Sequence, residues 1–430
     1  VSTISISVRD NSLVCLITKA YRSVQTTKHI RSIHTNITNI SIRGKYVTST
    51  FPIYMHNAFS RSKITSHLRY SSTPSYRDVH TLFMGSLVKE ETSSLMTKFL
   101  EKCGGYAVVD GGFATELQRH GADINDPLWS AKCLITSPHL VTKVHLDYLE
   151  SGANIIITAS YQATIQGFVA KGLSVGEAES LLRRSVEIAY EAREIFYNRC
   201  TKGSWDFDYA GKASGQPVLV AASVGSYGAY LADGSEYSGI YGDSVSKETL
   251  KDFHRRRVQI LEKSGADLIA FEAIPNKLEA EAYADLLEEE EIDIPAWFSF
   301  TSKDGVSVPR GDSVVECAKV ADSCKKVVAI GINCTSPRFI HDLIISLRQV
   351  TRKPIVVYPN SGEVYDGLNK KWIKSGEESE EDFVSYVSKW RDEGASLFGG
   401  CCRTTPNTIR AIAKVLSGEC PAASKIKFEQ

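Results

Sequence analysis

Between residues 105 and 416 one pattern recurs eight times: a short run rich in β-branched residues, then a longer segment with the spacing of an amphipathic helix. The runs lie at 107–109, 154–158, 217–222, 267–271, 295–300, 327–332, 354–358 and 396–398, and the helical segments at 138–149, 175–197, 245–263, 278–290, 313–324, 338–350, 380–393 and 406–416. Punctuation agrees with these bounds. Ser137 and Pro138 suit an N-cap and a first helical turn, while Gly152 and Gly265 suit left-handed positions beyond a helix end. Eight strands each followed by a helix predict an α/β fold, a single (β/α)8 TIM barrel over residues 84–430. Alternation alone also permits a doubly wound open sheet, because spacing does not prove closure; the eight consecutive units favour the barrel. Such a barrel places its chemistry where strands end and loops begin. The residues at those ends include Asp110-Gly111-Gly112, Ser160-Tyr161-Gln162, Ser223-Val224-Gly225, Glu272, Asn333-Cys334-Thr335, Pro359-Asn360-Ser361 and Gly399-Gly400-Cys401-Cys402.

The chain of 430 residues is electrically balanced, with 50 Lys and Arg against 50 Asp and Glu. Neutrality argues against a general nucleic-acid or membrane-surface binder, and no run of about 18 apolar residues offers a membrane span. The balance is uneven along the chain, because residues 1–83 hold eleven Lys and Arg against only Asp10 and Asp78, which leaves 84–430 acidic. Residues 1–83 are also rich in Ser and Thr, show no sustained helical or strand period, and read as a disordered extension. Two origins stay open for it. The Arg- and Ser-rich, acid-poor composition matches an organellar transit segment; alternatively, Met84-Gly85-Ser86-Leu87 reads like a natural start, which makes 1–83 translated upstream sequence. The expected location is cytoplasmic, or organellar if the extension is a genuine transit segment.

Ten Cys are scattered without the spacing of a small disulfide-rich domain and read as thiols in a reducing compartment. Three stand apart: Cys334 follows the sixth run and Cys401-Cys402 follow the eighth, so a closed barrel brings all three to one rim. Taken singly, each is a small buried apolar residue, and the adjacent pair could form a vicinal disulfide. Together, at strand ends, they predict a metal site. Neighbouring residues on a regular strand point to opposite faces, so the backbone must bend there, and Gly399-Gly400 supplies the freedom. Soft thiolates favour zinc, and three protein ligands leave a fourth tetrahedral position open, which is the catalytic arrangement. Cys317 and Cys324 share one predicted helix at a separation of about 10 Å along its axis, too far for one ion.

Four of these segments, Val109-Asp110-Gly111-Gly112, Phe271-Glu272-Ala273-Ile274-Pro275, Gly331-Ile332-Asn333-Cys334 and Gly399-Gly400-Cys401-Cys402, resemble the motifs of the homocysteine S-methyltransferase family. Residues 223–237, SVGSYGAYLADGSEY, are similar to its plant-type members that use S-methylmethionine, and the similarity runs from about Met84 to the end. The resemblance implies transfer of a methyl group from a sulfonium donor to the sulfur of homocysteine, giving methionine. It implies Zn(2+) on Cys334, Cys401 and Cys402 with homocysteine sulfur as fourth ligand, and Asp110, Gly111 and Glu272 as substrate-binding residues. The chemistry is coherent: a free thiol with a pKa of about 8.5 is mostly protonated at neutral pH, whereas a zinc-bound one is held as thiolate. A sulfonium already carries a good leaving group, so alignment and exclusion of water remain. The same motifs fit S-adenosylmethionine or betaine as donor and selenocysteine as acceptor, and a zinc-stabilised barrel that only binds amino acids is the non-enzyme alternative.

The Gly-rich stretch 225–242 carries Tyr227, Tyr230, Tyr237 and Tyr241 and reads either as a lid whose aromatic faces attract the donor cation or as an ordinary exposed loop. No helix is expected to begin at 225–228. His120, His139, His145, His254 and His341 fall on helices or loops and are assigned packing or surface roles. Arg255-Arg256-Arg257 is expected on an outer helix as a solvated face.

Overall fold

The computed structural model describes residues 93–201, 216–290, 292–362, 364–366, 371–373 and 380–418, with three strands nearer the N-terminus. The chain divides into two units, Val1–Thr73 and Pro74–Gln430. In the first, Ile4–Ser7 pairs in parallel with Asn39–Gly44, which pairs antiparallel with Val47–Pro52. The rest of the expected disordered extension, and its boundary at 83, lie outside the described residues.

In the second unit every predicted strand is present: β1 (Ala107–Val108), β2 (Ile155–Ile157), β3 (Leu219–Gly225), β4 (Leu268–Ile274), β5 (Ala296–Phe300), β6 (Val327–Asn333), β7 (Ile355–Tyr358) and β8 (Ala395–Phe398). They form one sheet in the order β1-β8-β7-β6-β5-β4-β3-β2, each pair parallel. A bridge between Val109 and Ile155 joins the two ends. Because β1 is so short, Asn154 completes that seam: its N–H donates to the Val108 carbonyl at 2.6 Å and its Oδ1 accepts from Val108 N–H at 3.1 Å. The sheet is therefore a barrel, and the open-sheet alternative fails.

Helices follow the strands where their period places them, as Pro406–Ser417 illustrates. Pro406 opens it, Thr405 and Thr408 form a capping box, Ile409, Ile412 and Ala413 bury one stripe, and Gly418 closes it at φ 77°. Inside the barrel, Val109, Ala221, Leu268, Trp297, Val356 and Leu397 belong to one buried cluster. Helix Ser93–Lys102, which the strand count did not anticipate, adds Met96, Phe99 and Leu100 to it. Burying each such large side chain contributes about 2–3 kcal/mol, so this helix plugs the barrel end where the strands begin and leaves the other end open for chemistry. No helix among the described residues is long and apolar enough to cross a membrane.

Candidate active site

The opposite ends of the strands surround a cavity of about 440 Å³ whose wall includes Asp110, Glu272, Cys334, Cys401 and Cys402. All the acid and thiol positions expected from the strand ends meet there. Gly111 also lines it.

Each thiol is aimed by a local backbone irregularity. Cys334 leaves β6 in the left-handed region at φ 51°, its N–H donating to Tyr358 O at 3.2 Å and its carbonyl accepting from Thr301 Oγ1 at 3.2 Å. Cys401 and Cys402 lie in the turn after β8, fixed by Cys401 N–H to Pro359 O at 2.7 Å and by Thr404 Oγ1 to Cys401 O at 2.7 Å, with Arg403 at φ 67°. The glycines before the pair serve close approach rather than a positive φ. A Cβ on Gly400 would stand 2.2 Å from Thr404 Oγ1, and one on Gly112 would stand 2.7 Å from the Cys401 carbonyl. The Sγ atoms are 3.2 Å (Cys401–Cys334), 3.6 Å (Cys334–Cys402) and 4.0 Å (Cys401–Cys402) apart, and all three thiols are free. A vicinal disulfide is excluded by that last distance. Three sulfurs at about 2.3 Å from a tetrahedral zinc are separated by about 3.8 Å, so the set fits a metal ion with little adjustment.

The two carboxyls reach the cavity by different routes. Asp110 follows β1, is 2% exposed, and accepts from Ile157 N–H at 2.8 Å. Glu272 lies on β4 at a break in register between Phe271 and Ile274. Ala273 there adopts φ 51°, a strain of about 1–3 kcal/mol, and its N–H donates to Asn333 Oδ1 at 2.8 Å. The bulge bends the strand and re-aims the Glu272 side chain. Burial pushes the Glu272 carboxyl up to about 7, against the lowering pull of the Ser223 and Tyr358 hydroxyls and the charge of Arg257. Burial also holds Asp110 well above the usual carboxylate range, the Ile157 N–H opposing it and the charge of Glu272 adding to it. Two buried acids on one cavity wall suit a cationic group.

Sequence reasoning missed most of the aromatic wall, where Phe113, Trp129 and Phe339 join Tyr161 and Tyr237 in lining the cavity. Trp129 sits at φ 47° and meets Tyr161 edge-on at 6.2 Å. Tyr161 and Asn333 carried a strand-end signal; Trp129, in a short helical turn far from any strand end, carried none. Of the four tyrosines in the expected lid only Tyr237 lines the cavity, while Tyr227 and Tyr230 pack on Phe253. That segment is also not a plain loop: helices Tyr227–Leu231 and Ser235–Ser238 form in it, the first capped by Ser226 Oγ accepting from Ala229 N–H. The expectation that no helix begins there is corrected, because Ser226 supplies the cap.

The arginine run is corrected as well. Arg255 and Arg256 pair with acids at the surface, but Arg257 is 2% exposed and donates to the carbonyls of Ser160, Tyr161 and Gly225. These carbonyls also accept from Ala163 N–H, Gly225 N–H and the Tyr283 hydroxyl respectively, and a guanidinium with several donors fills their remaining acceptor capacity and ties the three together. The helix stripe that carries Arg257 faces inward. His145 and His254 are buried in packing positions, as expected.

Comparison with known proteins places residues 107–416 in a family described as Homocysteine S-methyltransferase. The chain is 93% identical over 347 residues to Homocysteine S-methyltransferase 3 of Arabidopsis thaliana, covering 81% of this chain and 100% of the relative. It is 66% identical over 335 residues to Selenocysteine methyltransferase of Astragalus bisulcatus, covering 77% and 99%. Among solved structures, the metallated form of the homocysteine methyltransferase MmuM from Escherichia coli matches with a TM-score of 0.62 at 40% identity, covering 72% of this chain and 96% of that one.

Proposed function

The chain belongs to the homocysteine S-methyltransferase family, and from that premise we propose that it methylates homocysteine from S-methylmethionine with zinc held by Cys334, Cys401 and Cys402. The observation that carries this reading is the meeting of three free thiols, 3.2–4.0 Å apart, with Asp110 and Glu272 in one cavity. When bound, zinc lowers the pKa of the substrate thiol and holds it as thiolate.

The chain's own residues do the rest. Asp110 and Glu272 take the ammonium of homocysteine, and Gly111 lets the β1 end lie against Tyr148, since a Cβ there would stand 2.7 Å from that ring. The aromatic wall excludes water and offers π faces to a sulfonium. One methyl–sulfur bond forms at homocysteine and one breaks at the donor, the bonding pair staying on the departing sulfur. The thiol proton is lost to solvent, and two molecules of methionine result. No general acid is required, so the work is alignment of the three atoms of transfer.

The free thiols fit a reducing compartment, here read as the cytosol. The likeness to a selenocysteine methyltransferase favours one second reading, selenocysteine as an acceptor. Metal analysis of the purified chain, joined to methyl transfer assays with each donor and acceptor at equal concentration, tests the whole. Absence of zinc, or wild-type activity in Cys334→Ala, overturns it.

A further inference from the structure

Apart from the thiols, the cavity wall carries three carboxyl groups, Asp110, Glu236 and Glu272, and two cations, Lys303 and Arg338. The two substrates of the proposed reaction carry between them two ammonium groups, one sulfonium and two carboxylates. The wall therefore offers groups of opposite sign to both the cationic and the anionic parts of the substrates. Asp110 and Glu272 feel each other's charge and form one locus. Glu236 stands at another, on helix Ser235–Ser238, and its charge is felt by Cys334 and Cys402.

Glu236 is half-buried, and among the described residues the groups that act on it are the phenols of Tyr237 and Tyr161, with no cation among them. An acid kept partly out of water without a counter-charge is costly. A cavity beside it that is lined by Tyr161 and Tyr237 leaves room for a cation to offset that cost. We propose that Glu236 is a specificity-determining residue that recognises the positive charge of the methyl donor, a sulfonium amino acid, beside the three thiols. The inference rests on the reading of this cavity as a methyl-transfer site. It has a directional consequence. The donor charge disappears on transfer, so Glu236 holds the charged donor and loses its hold on the neutral thioether product, and its effect falls on binding rather than on the chemical step.

Full-length Glu236→Gln and Glu236→Asp proteins test this. In Glu236→Gln the KM for S-methylmethionine rises by about tenfold or more, kcat does not fall, the KM for homocysteine stays within about twofold, and bound zinc is unchanged. Glu236→Asp recovers part of the loss. An unchanged donor KM, or a parallel rise in both KM values together with a lowered melting temperature, overturns the proposal and leaves Glu236 a structural residue of the lid. Equilibrium dialysis without homocysteine separates this inference from the one beneath it. The wild type retains labelled S-methylmethionine over methionine, and Glu236→Gln loses that preference. If the preference depends on Glu236 but no methyl is transferred, the proposed function fails and this inference stands. If transfer proceeds and both proteins bind the two ligands alike, this inference alone fails.

Discussion

Glu272 on β4 and Glu279 on the helix that follows are both buried, at 7% and 0% exposure, yet they are held in opposite ways. Glu279 accepts from Tyr227 N–H at 2.6 Å, from the hydroxyls of Tyr241 and Tyr283, and hydrogen-bonds His254 Nε2 at 2.9 Å. Those donors come from the lid segment, from its own helix and from the helix after β3, so one saturated carboxyl ties the lid to the barrel wall. Among the described residues Glu272 accepts only hydroxyl donors, and it also lines the cavity. A buried acid whose donors close around it is scaffold; one whose lone pairs are left facing a cavity is recognition.

The sharpest way to break this contrast is to empty the cavity of a thiol. Cys334→Ala is expected to abolish methyl transfer and the retention of zinc while leaving the denaturant midpoint of the metal-free protein nearly unchanged, since a half-buried Cys at a strand end supports little packing. A large loss of stability would place Cys334 with Glu279 among the scaffold. The reverse experiment is Glu279→Ala, which strands four donors and is expected to cost about 3–5 kcal/mol in urea titrations. A cost below about 1 kcal/mol would mean that water replaces the carboxyl and that the latch does not exist.

Glu272→Gln sharpens the comparison because the sign is opposite. The folded value of about 7 lies above the unfolded 4.5, so the folded protein binds this proton more tightly. Stability from this group is therefore present below the unfolded value and is lost as pH rises through about 7. The difference corresponds to about 3 kcal/mol. Above pH 7 the metal-free Gln variant is expected to be more stable than wild type by up to that amount, while its affinity for homocysteine falls. In the wild type the KM for homocysteine rises as pH drops through about 7, and pH-dependent kinetics of the variant should show that step removed. The smallest expected effect is that of Tyr241→Phe, which deletes one donor to Glu279 and costs about 1 kcal/mol, read as raised proteolytic sensitivity of the lid with zinc content unaffected.

The legibility of these parts in sequence follows the same division. Cys334 and Cys401-Cys402 were readable because strand ends of a closed barrel must converge, and three soft ligands at such ends have few other uses. Asp110 and Glu272 were readable for the same reason, aided by family resemblance. Arg257 was misread because its two neighbours are surface residues and a run of like charges ordinarily faces water. Its burial depends on three carbonyls, of Ser160, Tyr161 and Gly225, that only the fold brings together, and no local pattern records them. Tyr237 could not be told from Tyr227, Tyr230 and Tyr241, since four tyrosines in one segment look alike until two short helices turn one toward the cavity and give the others to Phe253 and Glu279. Trp129 gave no signal at all, and Glu236 only its place in the stretch 223–237 that carries the family resemblance.

By itself the sequence determined the number and order of the eight strand and helix units, because hydrophobic period is a local property, and with it the rim on which the chemistry gathers. Only the tertiary structure decided which buried charges are saturated and which face a cavity. That distinction depends on donors brought from distant parts of the chain, as when Tyr227, His254 and Tyr283 close around Glu279 and leave Glu272 open. A carboxyl's neighbours along the chain say that it is buried; its neighbours in space say what it is for.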